Sequence, residues 1–89
     1  MTNGDIVTVL TVAGEFIGKL AHKDGDSVTL DDPRMLIHNE QGMGFAHGVC
    51  VTGEREPKSV EFMGVVLITP TADEVAKAWR QATSGIITA

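Results

Sequence analysis

Apolar and polar positions along the chain follow a period of two for most of its length and a helical period only near the end. Residues 5–12, reading DIVTVLTV, are rich in β-branched side chains and apolar on both sides, which predicts a well-buried strand. A turn around Gly14 follows. Residues 15–23 then alternate, with Phe16, Gly18 and Leu20 on one side and Lys19 and Lys23 on the other, as in a half-buried strand. Asp24-Gly25 next predicts a tight hairpin turn of type I′, with positive φ at both positions. Val28 and Leu30 point inward from a third strand over 27–31. Asp31-Asp32-Pro33 must break or bulge that strand, because Pro33 has no N–H to give a ladder.

Two further strands are expected over 34–40 and 44–52 around a turn at Gly42, then a charged loop over 53–58. The segment FMGVVLITP at 62–70 is strand-like but interrupted by Gly64. Glycine inside a strand loses packing and chain entropy, so it marks a bend, a bulge or a close approach. Strands over 59–63 and 65–69, joined by a sharp turn at Gly64, account for it. From Pro70 the period changes and predicts a helix over 72–83. Thr71 and Glu74 have the spacing of a capping box, and Asp73 and Glu74 suit the positive end of the helix dipole. Ala72, Val75, Ala76 and Trp79 share a face expected to pack, Gly85 is a stop signal, and the final IITA is expected to pack weakly.

The length of 89 residues supports one domain spanning 1–89 with a modest core. Twelve acidic residues against 7 basic ones leave a net charge of −5, which disfavours non-specific binding to nucleic acid or anionic membrane. Three Phe, one Trp and no Tyr leave little for a broad stacking platform. The single cysteine, Cys50, excludes an intrachain disulfide and suits a reducing compartment. The N-terminal MTNGD lacks the pattern of a signal peptide, and VVLI is far too short to span a bilayer, so a cytoplasmic protein without membrane contact is expected.

Chemistry is thinly signalled. His22, His38, His47 and Cys50 lack the paired spacing of a zinc site, and an odd step of three along one strand would point His47 and Cys50 to opposite faces. A buried cysteine with surface histidines is the expectation, with no metal and no cofactor. GMGFAHG has spaced glycines without the strand–loop–helix setting of a nucleotide fingerprint. No nucleophile elbow, phosphate loop or cysteine pair is present, and the acidic pairs Asp24/Asp26 and Asp31/Asp32 read as solvated turns. Enzymatic activity is not expected.

Two groups of residues carry a family resemblance. Gly14, Gly18-Lys19-Leu20, Asp24, and then Val28 and Leu30 form one pattern; FMGVVLITP, with Gly64 in the glycine position, forms the second. In this order, on either side of a hairpin turn, they resemble the two motifs of the Sm-like (Sm/LSm) family. The likeness covers most of residues 5 to 70, with an enlarged middle over 34–58. It implies a mainly β fold: a small, strongly bent five-stranded barrel, here with an extended middle hairpin and a C-terminal helix. It further implies a homo-oligomeric ring, of roughly five to seven subunits, joined along sheet edges, with single-stranded RNA as the candidate ligand.

By that resemblance, Val65, Val66, Leu67, Ile68 and Thr69 would form the joining edge. Lys23, Asp24, Asp26, Ser27, Met63 and Gly64 would line the RNA site. On pattern alone, VVLI could equally be a central strand of a monomer; the resemblance favours the ring. Three departures fit a divergent, viral or phage-type member. The helix follows the strands instead of preceding them, and the segment 34–58 is unusual. The family's base-gripping His or Met and Asn are absent from the turn, and its arginine before the second glycine is Met63. A lost arginine removes phosphate neutralisation and cation stacking together. A scaffold or protein-interaction module without RNA binding is therefore the alternative expectation.

Overall fold

The fold follows from a computed structural model in which residues 1–84 are described. Six strands, β1 (Ile6–Thr11), β2 (Gly14–Asp24), β3 (Ser27–Asn39), β4 (Gly42–Phe45), β5 (Ser59–Phe62) and β6 (Leu67–Pro70), precede one helix, α1 (Asp73–Thr83). All strand pairs are antiparallel and form one sheet, in the order β4-β3-β2-β1-β6, with β5 also pairing β3. The predicted Gly85 stop and the tail 86–89 lie outside the described residues.

The centre of the fold is β3. It is one strand of 13 residues: of the break or bulge expected at Pro33 the bulge forms, and the stretches expected as strands over 27–31 and 34–40 are continuous. Asp32 sits at φ 49°, and the register against β2 gains a residue between the Ile17 and Lys19 pairings. Proline's missing N–H is therefore accommodated by a bulge, and the strand bends there without ending. A second irregularity lies between Leu20 and His22 on β2. At the first bend β2 carries Gly18, where a Cβ would come within 2.9 Å of Leu30 Cβ and 3.1 Å of the Asp31 carbonyl oxygen. Only glycine lets the two bent strands approach so closely.

The turn between β2 and β3 also differs from expectation. Asp24 pairs with Ser27, so the turn residues are Gly25 and Asp26, and only Gly25 has positive φ, at 62°. Glycine at the first central position alone matches a type II′ turn, which suits strand twist as well as I′ does. At the far end of β3, Asn39 pairs with Gly42 across Glu40 and Gln41. The expected strand over 44–52 stops at Phe45, and residues 46–58 are irregular. Gly48 and Gly53, together with the charged run that follows, give that stretch no continuous ladder.

The bends bring both sheet edges over one core. Val7, Val9, Phe16, Leu20, Val28, Leu30 and Phe62 are buried together, with Met35, Val49, Val60, Val65 and Ile68 packed against them. Phe16 and Phe62 rings lie 4.7 Å apart between centroids. The opposite face of the sheet is covered by α1, where Ile6, Ile17, Ala76 and Trp79 are buried beside Leu36, Phe45 and Val75. The helical face expected from the sequence is thus used for packing, although Ala72 itself is exposed.

The expected capping box does not form. Ala72 holds the N-cap position, with no side-chain cap bond. Thr71 stands one residue too early, and its hydroxyl lies 2.8 Å from Thr8 Oγ1 while its N–H donates to the Ile6 carbonyl. The residue extends the β1 contact instead. Among the described residues, no helix is long and apolar enough to cross a membrane.

Candidate functional site

The residues singled out for ligand binding come from two distant stretches, and the fold brings them together. The Val65 N–H donates to the Asp26 carbonyl at 3.0 Å, which ties the Gly64 step to the β2–β3 turn. Gly64 has φ 68° with open space around it, so its role is conformational: it turns the chain between β5 and β6. Met63 beside it is 75% exposed.

The chemistry of this surface is acidic. Asp24 and Asp26 are exposed on the turn. Ser27 donates its hydroxyl to Glu61 on β5 at 2.8 Å, which adds a third carboxylate close by and occupies the serine. The Lys23 ammonium is folded back onto the Gly25 carbonyl at 3.2 Å. Three carboxylates against one engaged lysine repel phosphate.

The stretch expected to form a joining edge divides into two kinds of residue. Strand β6 begins at Leu67, two residues later than expected, because Gly64 and the bond from the Val66 N–H to the Leu10 carbonyl hold Val65 and Val66 in an irregular crossing. Val65 and Ile68 turn inward and pack on the core. Val66 and Leu67 turn outward and are 62% and 45% exposed. Thr69 is also exposed, opposite Thr8 on β1. Among the described residues, β5 and β6 are each paired along one side only, to β3 and β1 respectively, so both present an unpaired backbone edge there.

Elsewhere, Cys50 is exposed, not buried as expected, because residues 46–58 are a surface loop instead of a strand. His22, His38 and His47 are exposed as expected. Among the described residues, no group of three or more metal-capable side chains gathers. No family model and no curated protein matches the chain.

Two features escaped sequence reasoning. Arg34 is buried at 5% exposure, donating to the Pro33 carbonyl at 3.1 Å and to the Glu56 carboxylate at 3.4 Å. A charged residue at that spacing reads as solvent-facing; here it lies opposite the buried Ile17 on β2 and meets Glu56 from the distant 46–58 segment. The second is the bond from Trp79 Nε1 to the Asp32 carbonyl at 2.9 Å, which docks α1 onto the bulge of β3. Its only sequence signal was a lone tryptophan on an apolar helix face, which needs a partner for its N–H when buried.

Proposed function

We propose that the chain is a self-assembling scaffold of Sm-like type, a small bent barrel that joins head-to-tail through the edges of β5 and β6. The observation that carries this reading is the exposed apolar step Val66–Leu67 leading into β6, whose outer edge, like that of β5, has no partner among the described residues. Exposed edges invite pairing; β6 carries no charged side chain, with Pro70 only at its end, and β5 carries one, Glu61, held by the Ser27 hydroxyl. Pairing the β5 edge of one copy with the β6 edge of the next is heterologous and closes into a ring when the rotation allows. Strand order β6-β1-β2-β3-β5, both edges over one core, and glycine at the bends all support the barrel reading.

The test is native mass spectrometry of the full chain with and without Leu67→Lys. A single ring mass is expected for the natural sequence. Lysine at Leu67 leaves the monomer core intact, because that side chain faces outward, but buries an ammonium in the joint. The subunit dissociation constant should rise at least about 100-fold. A monomer for the natural sequence at micromolar concentration would sink the proposal.

Selective RNA binding is the second reading, favoured by one observation: the Val65–Asp26 bond that sets the turn residues beside Met63 and Gly64. The carboxylates there weigh against it. Oligo-uridine is expected not to be retained at moderate salt, measured by fluorescence anisotropy of a labelled oligonucleotide. Retention with a shallow salt slope would mean that bases are gripped without phosphate neutralisation, and would move RNA reading to first place.

A further inference from the structure

The edge of β3 facing β4 and β5 has a gap. It pairs with β5 from Val28 to Asp31 and with β4 from Leu36 to Asn39, leaving 32–35 with no partner strand on that side. The irregular segment 46–58 fills the gap. The Asp32 N–H donates to the Lys58 carbonyl at 2.8 Å, the Met35 N–H to the Gly48 carbonyl at 3.2 Å, and the Ala46 N–H to the Met35 carbonyl at 2.9 Å. Between these anchor points the segment stands off the sheet, enclosing a cleft of about 470 Å³ walled by Met35, Ile37, Val51 and Arg55 among others.

This junction collects the unusual groups of the molecule. The two non-glycine residues at positive φ among those described, Asp32 at 49° and Glu56 at 51°, lie on its two sides. Such residues cost about 1 kcal/mol or more and persist where surrounding contacts hold them. The one buried charged side chain among the described residues, Arg34, spans it and reaches Glu56, whose own N–H donates back to the His47 carbonyl. Glu56 is half-exposed, with 52% of its side chain in solvent, so one end of the ion pair is anchored in the fold and the other is free to leave.

We infer that residues 46–58 are a strap that opens as a unit over the β3 bulge, with the Arg34–Glu56 ion pair as its latch. When the latch is broken, Glu56 relaxes from its positive φ and water reaches Arg34. The part of the segment between Gly48 and the buried Pro57 then loses its hold, because it contributes only the partly buried Val49 to the core. Opening lays bare the Asp32 and Met35 amides and widens the cleft, while the β1–β2 ladder and the Trp79 contact stay closed. Local opening of this kind draws on the least stable part of a fold and leaves the rest intact.

Amide hydrogen exchange read residue by residue on the full chain tests it. In Glu56→Gln, exchange at the Asp32 and Met35 amides should accelerate about tenfold, while Val9 and Ile17 keep their rates. Glu56→Gly removes the ion pair and also relieves the positive φ, and it too should exchange faster than the natural sequence at both reporter amides. Uniform acceleration at all four positions would show the segment to be part of one cooperative unit and overturn the strap. Unchanged rates in Glu56→Gln, or slower exchange in Glu56→Gly, would overturn the latch.

Discussion

Trp79→Ala is expected to lower the free energy of unfolding by about 4 kcal/mol, a large share of the 5–15 kcal/mol typical of single domains. Trp79 is 3% exposed and packs with Ile6, Ile17 and Ala76 on the outer face of the sheet. Its Nε1 donates to the Asp32 carbonyl at 2.9 Å, so alanine would also strand a carbonyl at the β3 bulge. The helix has 11 residues and no side-chain N-cap, and helices this short do not persist in water without docking. Urea denaturation followed by circular dichroism, at fixed protein concentration, should show an earlier midpoint together with a lower native helical signal. Trp79→Phe keeps most of the packing and removes the donor; its loss should be about 1–2 kcal/mol. A loss below about 1 kcal/mol for Trp79→Ala would mean that α1 is not held to the sheet as described.

Gly18→Val is expected to be comparably damaging, at about 3 kcal/mol or more. The first added carbon already meets Leu30 Cβ at 2.9 Å and the Asp31 carbonyl at 3.1 Å. One of those neighbours is fully buried and the other is backbone, so neither can step aside cheaply. The strand pair would have to separate where both strands bend, which disturbs Val7, opposite Gly18 on β1, and the core behind it. Two other glycines separate crowding from conformation. Gly64 has open space but φ 68°, so Gly64→Ala should cost about 1 kcal/mol through backbone strain. Gly44 is exposed, crowded by nothing within 4 Å and not at positive φ, so Gly44→Ala should be near neutral. Urea midpoints ordered Gly44→Ala, Gly64→Ala, Gly18→Val would support the close crossing of β2 and β3. Equal tolerance at Gly18 would remove it.

The candidate site was legible as separate pieces. Lys23, Asp24, Asp26, Ser27 and the Met63-Gly64 step could be named only through the resemblance that the two glycine patterns carry. Their joining through the Val65–Asp26 bond could not, because it depends on how far β2 and β3 bend. Glu61 was not among the named residues, since its relation to Ser27 comes from the pairing of β5 with β3, across 34 residues of chain. That carboxylate helps move the reading from phosphate binding toward assembly.

By itself the sequence determined the period-two strands, the shared face of Phe16 and Leu20, the inward placement of Val28 and Leu30, the helix near the C-terminus and a sharp turn at Gly64. These follow from local rules: side chains alternate along a strand, and a residue without Cβ goes where the chain must bend or turn sharply. Tertiary structure alone decided that β3 runs through Pro33 by bulging, that 46–52 leaves the sheet, that Thr71 binds Thr8 instead of capping the helix, and that Arg34 is buried. In each case the deciding partner is distant in sequence: Lys58 for Asp32, Met35 for Gly48, Thr8 for Thr71 and Glu56 for Arg34. A backbone or side-chain donor takes whichever acceptor the assembled fold places within reach, and local pattern does not carry that position.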